Sequence, residues 1–178
     1  MLEEGGLKSI ARYFRAAAFA GFALAGPAAA GWLAPAWGQE PELDGTRPLT
    51  DPLVCLARTI YFEAGGQSET EMAAVGHVVM NRVKSSAFPD DVCAVIRQGV
   101  EAGPCQFSWW CDGRTDVATD KAEYERVVAV ARDVLQGKLS DPTDGANMFH
   151  NLAVSPRWAR VAEGRGRIGD QLFYFLGQ

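Results

Sequence analysis

The chain has 178 residues, 48% of them hydrophobic, with 22 Asp and Glu against 17 Lys and Arg and a formal charge of −5. That length holds one domain with a real core plus an appendage, and it excludes a multidomain machine. The acidic balance argues against nucleic acid as a partner, because a nucleic-acid groove needs clustered Lys and Arg to displace counterions.

Composition changes near residue 40. Lys8, Arg12 and Arg15 precede an uncharged apolar run over residues 16–26, small residues follow at Ala28, Ala29 and Ala30, and no acid appears between Arg15 and Glu40. Residues 1–38 therefore read as a signal peptide, and the protein as exported and periplasmic. The run is shorter than the roughly 20 residues a membrane span needs, so an uncleaved N-terminal anchor is the lesser alternative. A buried helical hairpin is disfavoured by Pro27 and Pro35. Residues 39–50, QEPELDGTRPLT, read as a linker, leaving residues 51–178 as the folded domain.

Asp51 and Pro52 open the first expected helix, in which Leu53, Leu56 and Ile60 recur at helical spacing until Gly65 and Gly66 stop it. Glu63 falls in its last turn. Ser68 and Glu71 form a capping box for a second, mostly buried helix running to about Lys84. A short helix is expected over residues 90–98. A longer one starts at Asp120, with Glu123 in the capping-box position, and stops at Gly137. After the turn cluster Asp141–Gly145, residues 147–151 and 170–175 read as short strands. The fold class is thus α+β, helices first and a short antiparallel element last.

All four cysteines, Cys55, Cys93, Cys105 and Cys111, follow the signal segment. In an oxidising compartment an even number suggests two disulfides, with three connectivities open, and bridges among the last three would pin the aromatic stretch CQFSWWCDG. Zinc is the weaker reading, since there is no CxxC and His77 and His150 lie far apart in the chain.

Chemistry centres on Glu63. A carboxylate behind Tyr61 and Phe62, at a helix C-terminus where negative dipole charge gathers, has its ionised form disfavoured and its pKa raised. Asn81, in the middle of an apolar helix, needs a hydrogen-bond partner and reads as a supporting residue tied to a neighbouring loop. His77 reads as surface or packing. Trp158 reads as core, and Arg157, Arg160, Arg165 and Arg167 as a local basic cluster, solvated by default but able to meet anionic wall groups.

The strings LARTIYFEAGGQ, AAVGHVVMNRV, FPDDVCAVI, CQFSWWCDG, DPTDGANMFH and VSPRWA, spanning Cys55 to Phe175 in order, resemble the SleB/CwlJ family of cell wall hydrolases. The resemblance implies a small lysozyme-like domain that cuts the glycan strand of peptidoglycan, in studied members as a lytic transglycosylase, with Glu63 at the position of the family's essential glutamate. The chain departs from the family pattern at Phe62, where glycine is frequent, and at Gln67, where a second carboxylate is frequent.

A single carboxylate suits transglycosylation: Glu63 would protonate the oxygen leaving MurNAc C1 and then take the proton of the same sugar's C6 hydroxyl as the 1,6-anhydro ring closes. A hydrolytic muramidase would need Asp112 or Asp116 as partner. Gln106, Phe107, Ser108, Trp109 and Trp110 are candidates for sugar contact, with a core plug as the alternative for the aromatic rings. His150 and Tyr174 are candidates on the strands. The expected partners are peptidoglycan glycan strands, met by a monomer; no cofactor and no metal is called for, and no regulatory protein is identified. A peptidoglycan-binding module without turnover and a zinc amidase are the competing classes, the latter without HExxH.

Overall fold

The computed structural model describes residues 44–99 and 105–177. The segment read as a signal peptide lies outside the described residues. Helix α1, Pro52–Ala64, begins where the Asp51 carboxylate accepts from the backbone N–H of Leu53 at 2.8 Å, and ends where Gly65 N–H returns to the carbonyl of Tyr61. Helix α2, Glu69–Val83, carries the expected Ser68/Glu71 capping box. Helix α3 is shorter than expected, Val92–Ile96, capped by Asp91. Helix α4 is Lys121–Leu135. Its capping box is only half formed: Asp120 accepts from Glu123 N–H, but the Glu123 carboxylate turns away to Gly66 N–H at 2.9 Å and Arg126 at 3.0 Å.

Helix α2 is buried on two sides. Met72, Val75 and Val79 enter the main core with Leu56, Ile60, Tyr124, Val127 and Ala131, while Ala74 and Val78 meet Ala146 and Phe173 in a second, smaller core. Gly76 makes the first packing close, since a Cβ there would sit 3.2 Å from Ile60 Cδ1 and 3.4 Å from Val134 Cγ2. The second core joins α2 to a three-stranded antiparallel sheet.

That sheet has the order β1-β3-β2, with β1 Met148–Asn151, β2 Glu163–Ile168 and β3 Gln171–Phe175. Strands β1 and β3 match the sequence expectation. Strand β2 does not appear in the sequence pattern, because EGRGRI neither alternates nor carries a β-branched run. It forms as a solvated edge, bulged at Arg165 between Gly164 and Gly166, with Gly166 at φ 121°. The helices and the small antiparallel sheet give the expected α+β class.

The linker reading needs correction at its C-terminal end. Gly45 is buried, its carbonyl accepts from Ala118 N–H at 3.2 Å, and Leu49 packs on the main core. Two cations fasten this segment: Arg58, buried on α1, donates to the carbonyls of Arg47 and Asp116, and Arg97 donates to the carbonyl of Leu49 at 3.2 Å.

Both disulfides form. Cys55–Cys93 joins α1 to α3, and Cys105–Cys111 closes the aromatic loop on itself, so Cys93 does not take part in pinning that loop. Among the described residues no helix is long and apolar enough to cross a membrane.

The two bridges differ in the loop each closes, 38 residues of separation against 6. Chain-entropy arithmetic gives about 4 kcal/mol for the first and about 2 kcal/mol for the second. Replacing Cys55 and Cys93 together with Ala should therefore lower the unfolding free energy more than replacing Cys105 and Cys111, as read by urea titration; equal or reversed losses would contradict this ranking.

Candidate active site

Four contacts fix the end of α1. Gln171, buried on β3, donates Nε2 to the carbonyl of Glu63 at 3.0 Å, and the Glu123 carboxylate holds Gly66 N–H. Arg126 donates to the carbonyl of Gln67 at 2.9 Å, and Tyr61 OH accepts from Asp120 N–H at 3.1 Å. Phe62 stacks on Trp109 with ring centroids 5.0 Å apart and planes 21° from parallel. The aromatic loop is thereby joined to α1 directly beside Glu63.

Glu63 opens onto a cleft of about 390 Å³. Its other walls are Arg82 from α2, Gln106 and Ser108 from the aromatic loop, Met148–Asn151 from β1, and Val154 and Trp158 from the segment after β1. Glu63 is the only carboxylate among the described residues that line it. Burial pushes the Glu63 carboxyl up to about 7, against the opposing pull of the Arg82 cation. Both protonation states are then populated near neutral pH.

Arg82 is 3% exposed. Its Nε donates to the carbonyl of Asn147 at 2.7 Å, and its guanidinium carbon lies 5.1 Å from the centroid of Phe107 and 5.4 Å from that of Phe88. Nη1 has no hydrogen-bond partner. Burial brings Arg82 down to about 10, opposed by Glu63, and it remains a cation at neutral pH. Sequence reasoning missed this residue. The signal was present: a cation beside Asn81, following the apolar run Val78–Met80 of a mostly buried helix.

The structure separates the aromatic-loop candidates by alternation. Gln106 and Ser108 are exposed and line the cleft, whereas Phe107 and Trp109 are buried, 1% and 6% exposed, and offer no face to a sugar. Trp110 is half-buried, edge-on to Trp109 at 6.1 Å. His150 lines the cleft, stacks on Tyr174 at 5.3 Å, and shares a hydrogen bond with its hydroxyl at 3.2 Å. Trp158, read from sequence as core, instead stands edge-on to both rings at 5.6 and 5.5 Å and forms part of the cleft wall.

Asn81 lies away from the cleft. It donates to the Asp141 carboxylate at 2.8 Å and to the carbonyl of Ala146 at 3.0 Å, fastening α2 to the turn that precedes β1. Burial works to raise the Asp141 pKa, but hydrogen bonds from Thr143, Asn81 and Gly145 prevail and hold it below the usual carboxylate range. His77 is buried, with Nε2 at 3.1 Å from the carbonyl of Leu139, and burial lowers its pKa. Asp112 is exposed and accepts from Arg114 N–H, and neither it nor Asp116 lines the cleft. No group of three His, Cys, Asp or Glu side chains among the described residues is arranged to hold a metal ion.

Comparison with known proteins returns one family and one fold. The family model described as Cell Wall Hydrolase matches residues 66–174, beginning just after Glu63. A spore cortex-lytic enzyme of Halalkalibacterium halodurans is 30% identical over 119 residues, 66% of this chain and 33% of that protein. One from Bacillus subtilis is 30% identical over 120 residues, 66% of this chain and 35% of that protein. The chain thus spans about a third of the length of these curated relatives. Among solved structures, the catalytic domain of the germination-specific lytic transglycosylase SleB from Bacillus anthracis superposes with a TM-score of 0.56 at 25% identity, covering 69% of this chain and 93% of that one. The catalytic domain of the Bacillus cereus SleB protein gives 0.55 at 22% identity, covering 77% and 99%.

A raised carboxyl pKa has a consequence for stability. Below pH 4.5 both folded and unfolded chains hold the Glu63 proton, and between 4.5 and about 7 only the folded chain does, so this contribution falls as pH rises through that window and levels off above it. The loss is on the order of 3 kcal/mol. Glu63→Gln, which does not titrate, should gain stability relative to the unsubstituted chain from pH 4.5 to 8 in denaturant titrations. A difference independent of pH would rule out the raised pKa.

Proposed function

The chain belongs to the Cell Wall Hydrolase family, in its SleB/CwlJ branch, and on that premise we propose that it cleaves the glycan strand of peptidoglycan between MurNAc and GlcNAc as a lytic transglycosylase. The observation that carries this reading is the lone carboxylate: among the described residues, Glu63 alone faces the cleft as an acid, with a pKa near 7.

One group then serves in both halves of the reaction. Protonated Glu63 donates to the bridging oxygen as the MurNAc C1–oxygen bond breaks, releasing the GlcNAc end as an alcohol. The resulting carboxylate takes the proton of the C6 hydroxyl of the same MurNAc, whose oxygen bonds to C1 and closes the 1,6-anhydro ring. Atoms balance without water, and Glu63 returns to its acid form. A pKa near 7 suits both roles at neutral pH. Arg82 favours the carboxylate that exists between the two steps, and the C6 hydroxyl is held on the reacting sugar itself. His150 and Trp158 give the cleft an aromatic, partly polar surface of the kind that sugar rings meet.

Hydrolysis would require a second carboxylate to activate water. Asp116 has its pKa raised by burial and by Asp112, but its main-chain carbonyl is tied to Arg58, and neither aspartate lines the cleft. Export to the periplasm and action as a monomer on the glycan complete the proposal.

Purified protein incubated with isolated peptidoglycan should release anhydro-muropeptides detectable by mass spectrometry, and Glu63→Gln should release about 10²- to 10⁴-fold less. Reducing-end products would replace this mechanism with hydrolysis, and binding without release would indicate a module lacking turnover. Because the acid form of Glu63 starts the reaction, kcat/KM should fall as pH rises through about 7. A rate flat from pH 5 to 9 would remove Glu63 as the proton donor.

A further inference from the structure

The four arginines of the basic cluster separate into two pairs. Arg165 donates to Asp144 at 3.1 Å and Glu163 at 3.3 Å and lies over Phe175, and Arg167 is held by the carbonyl of Gly169 at 2.7 Å and by Asp170 at 3.6 Å. Arg157 and Arg160 are exposed and have no acidic partner among the described residues.

Those two belong to a short 3-10 turn, Arg157–Arg160. With three residues per turn, positions i and i+3 eclipse, so the Cα–Cβ bonds of both arginines leave the turn on one side. Trp158, one step round the same turn, is part of the cleft wall. Neither guanidinium is committed to an acid of the described residues, which leaves both open to an anionic group of a ligand. No Asp or Glu occurs from Asn151 to Ala162, although the chain as a whole is acidic at −5. Val154, 56% exposed, also lines the cleft and adds an apolar surface on this side.

We infer that this segment is a subsite for the peptide stem of peptidoglycan, with Arg157 and Arg160 taking stem carboxylates while the sugar that bears the stem lies against Trp158. The inference rests on the proposed function. The stem hangs from the lactyl group of MurNAc, is rich in carboxylates, and carries alanine methyl groups suited to Val154. A net-acidic protein repels such a strand except where local positive charge offsets the field. The protein therefore prefers glycan that still carries its peptides.

The test compares kcat/KM on two strands, both freed of phosphate polymers: glycan bearing stem peptides and the same glycan stripped of them by an amidase. Each exposed charge contact carries roughly a three- to fivefold effect, so the unsubstituted protein should favour stem-bearing strands by about tenfold. The double variant Arg157→Gln/Arg160→Gln should bring that ratio towards one, Arg157→Lys/Arg160→Lys should restore most of it, and added salt should narrow it in the unsubstituted protein. A ratio near one in the unsubstituted protein, or one that the glutamine variant leaves in place, would overturn the subsite while the proposed function stands. Failure to cut either strand would overturn the proposed function and this inference with it.

Discussion

The constraint behind this site is the burial of one carboxyl at the end of a helix. A helix C-terminus offers carbonyl oxygens rather than N–H donors, so nothing in the last turn of α1 solvates a negative charge on Glu63, and removal of water does the rest. Burial alone would favour the neutral acid further; the Arg82 cation restrains it. That cation is itself buried, and it needs the Asn147 carbonyl and the rings of Phe88 and Phe107 to make its position tolerable. The proton affinity of one residue thus depends on α2, on the strand that follows Asn147, and on the aromatic loop together.

The same dependence explains why α2 is packed on both sides. Its helical-core face sets the angle to α1 and α4 through Gly76, and its other face carries the sheet through Ala74 and Val78. Strand β3 then reaches back to α1, since Gln171 holds the Glu63 carbonyl. The aromatic loop follows an equivalent logic on a smaller scale. Alternation from Gln106 to Trp109 sends Phe107 and Trp109 inward, where Trp109 stacks on Phe62, and leaves Gln106 and Ser108 facing the cleft. The buried rings anchor the loop and so fix their polar neighbours at the cleft.

Helix boundaries were legible where local chemistry decides them: Asp51–Pro52 and Ser68/Glu71 are signals carried by adjacent residues, and both helices start where those signals lie. The two disulfides followed from an even cysteine count, but their pairing needed three dimensions. Features decided by tertiary context were not legible. Strand β2 exists because β3 offers an edge, not because EGRGRI prefers to extend. Glu123 leaves its expected cap for Gly66 because the end of α1 lies across from it. Trp158 reads as core on composition, yet its place beside His150 and Tyr174 puts it in the wall of the cleft. Arg82 shows the limit most plainly, since a cation in an apolar helix signals a buried partner without saying which element brings it.

Gln67 can be weighed on the same grounds. Gln67 stands in the turn after α1, its carbonyl accepts from Arg126, and its side chain does not line the cleft that Glu63 faces. A glutamate there would not stand among the groups that share the cleft with Glu63, so its replacement by glutamine takes no acid away from them. What glutamine does avoid is a charge at a site where its buried Oε1 has no hydrogen-bond partner. Phe62 is likewise complemented rather than merely tolerated, because Trp109 stacks on it and Tyr61 meets its edge at 5.2 Å. Phe62 and Gln67 therefore belong to the support of the α1 terminus and not to the lining of the cleft.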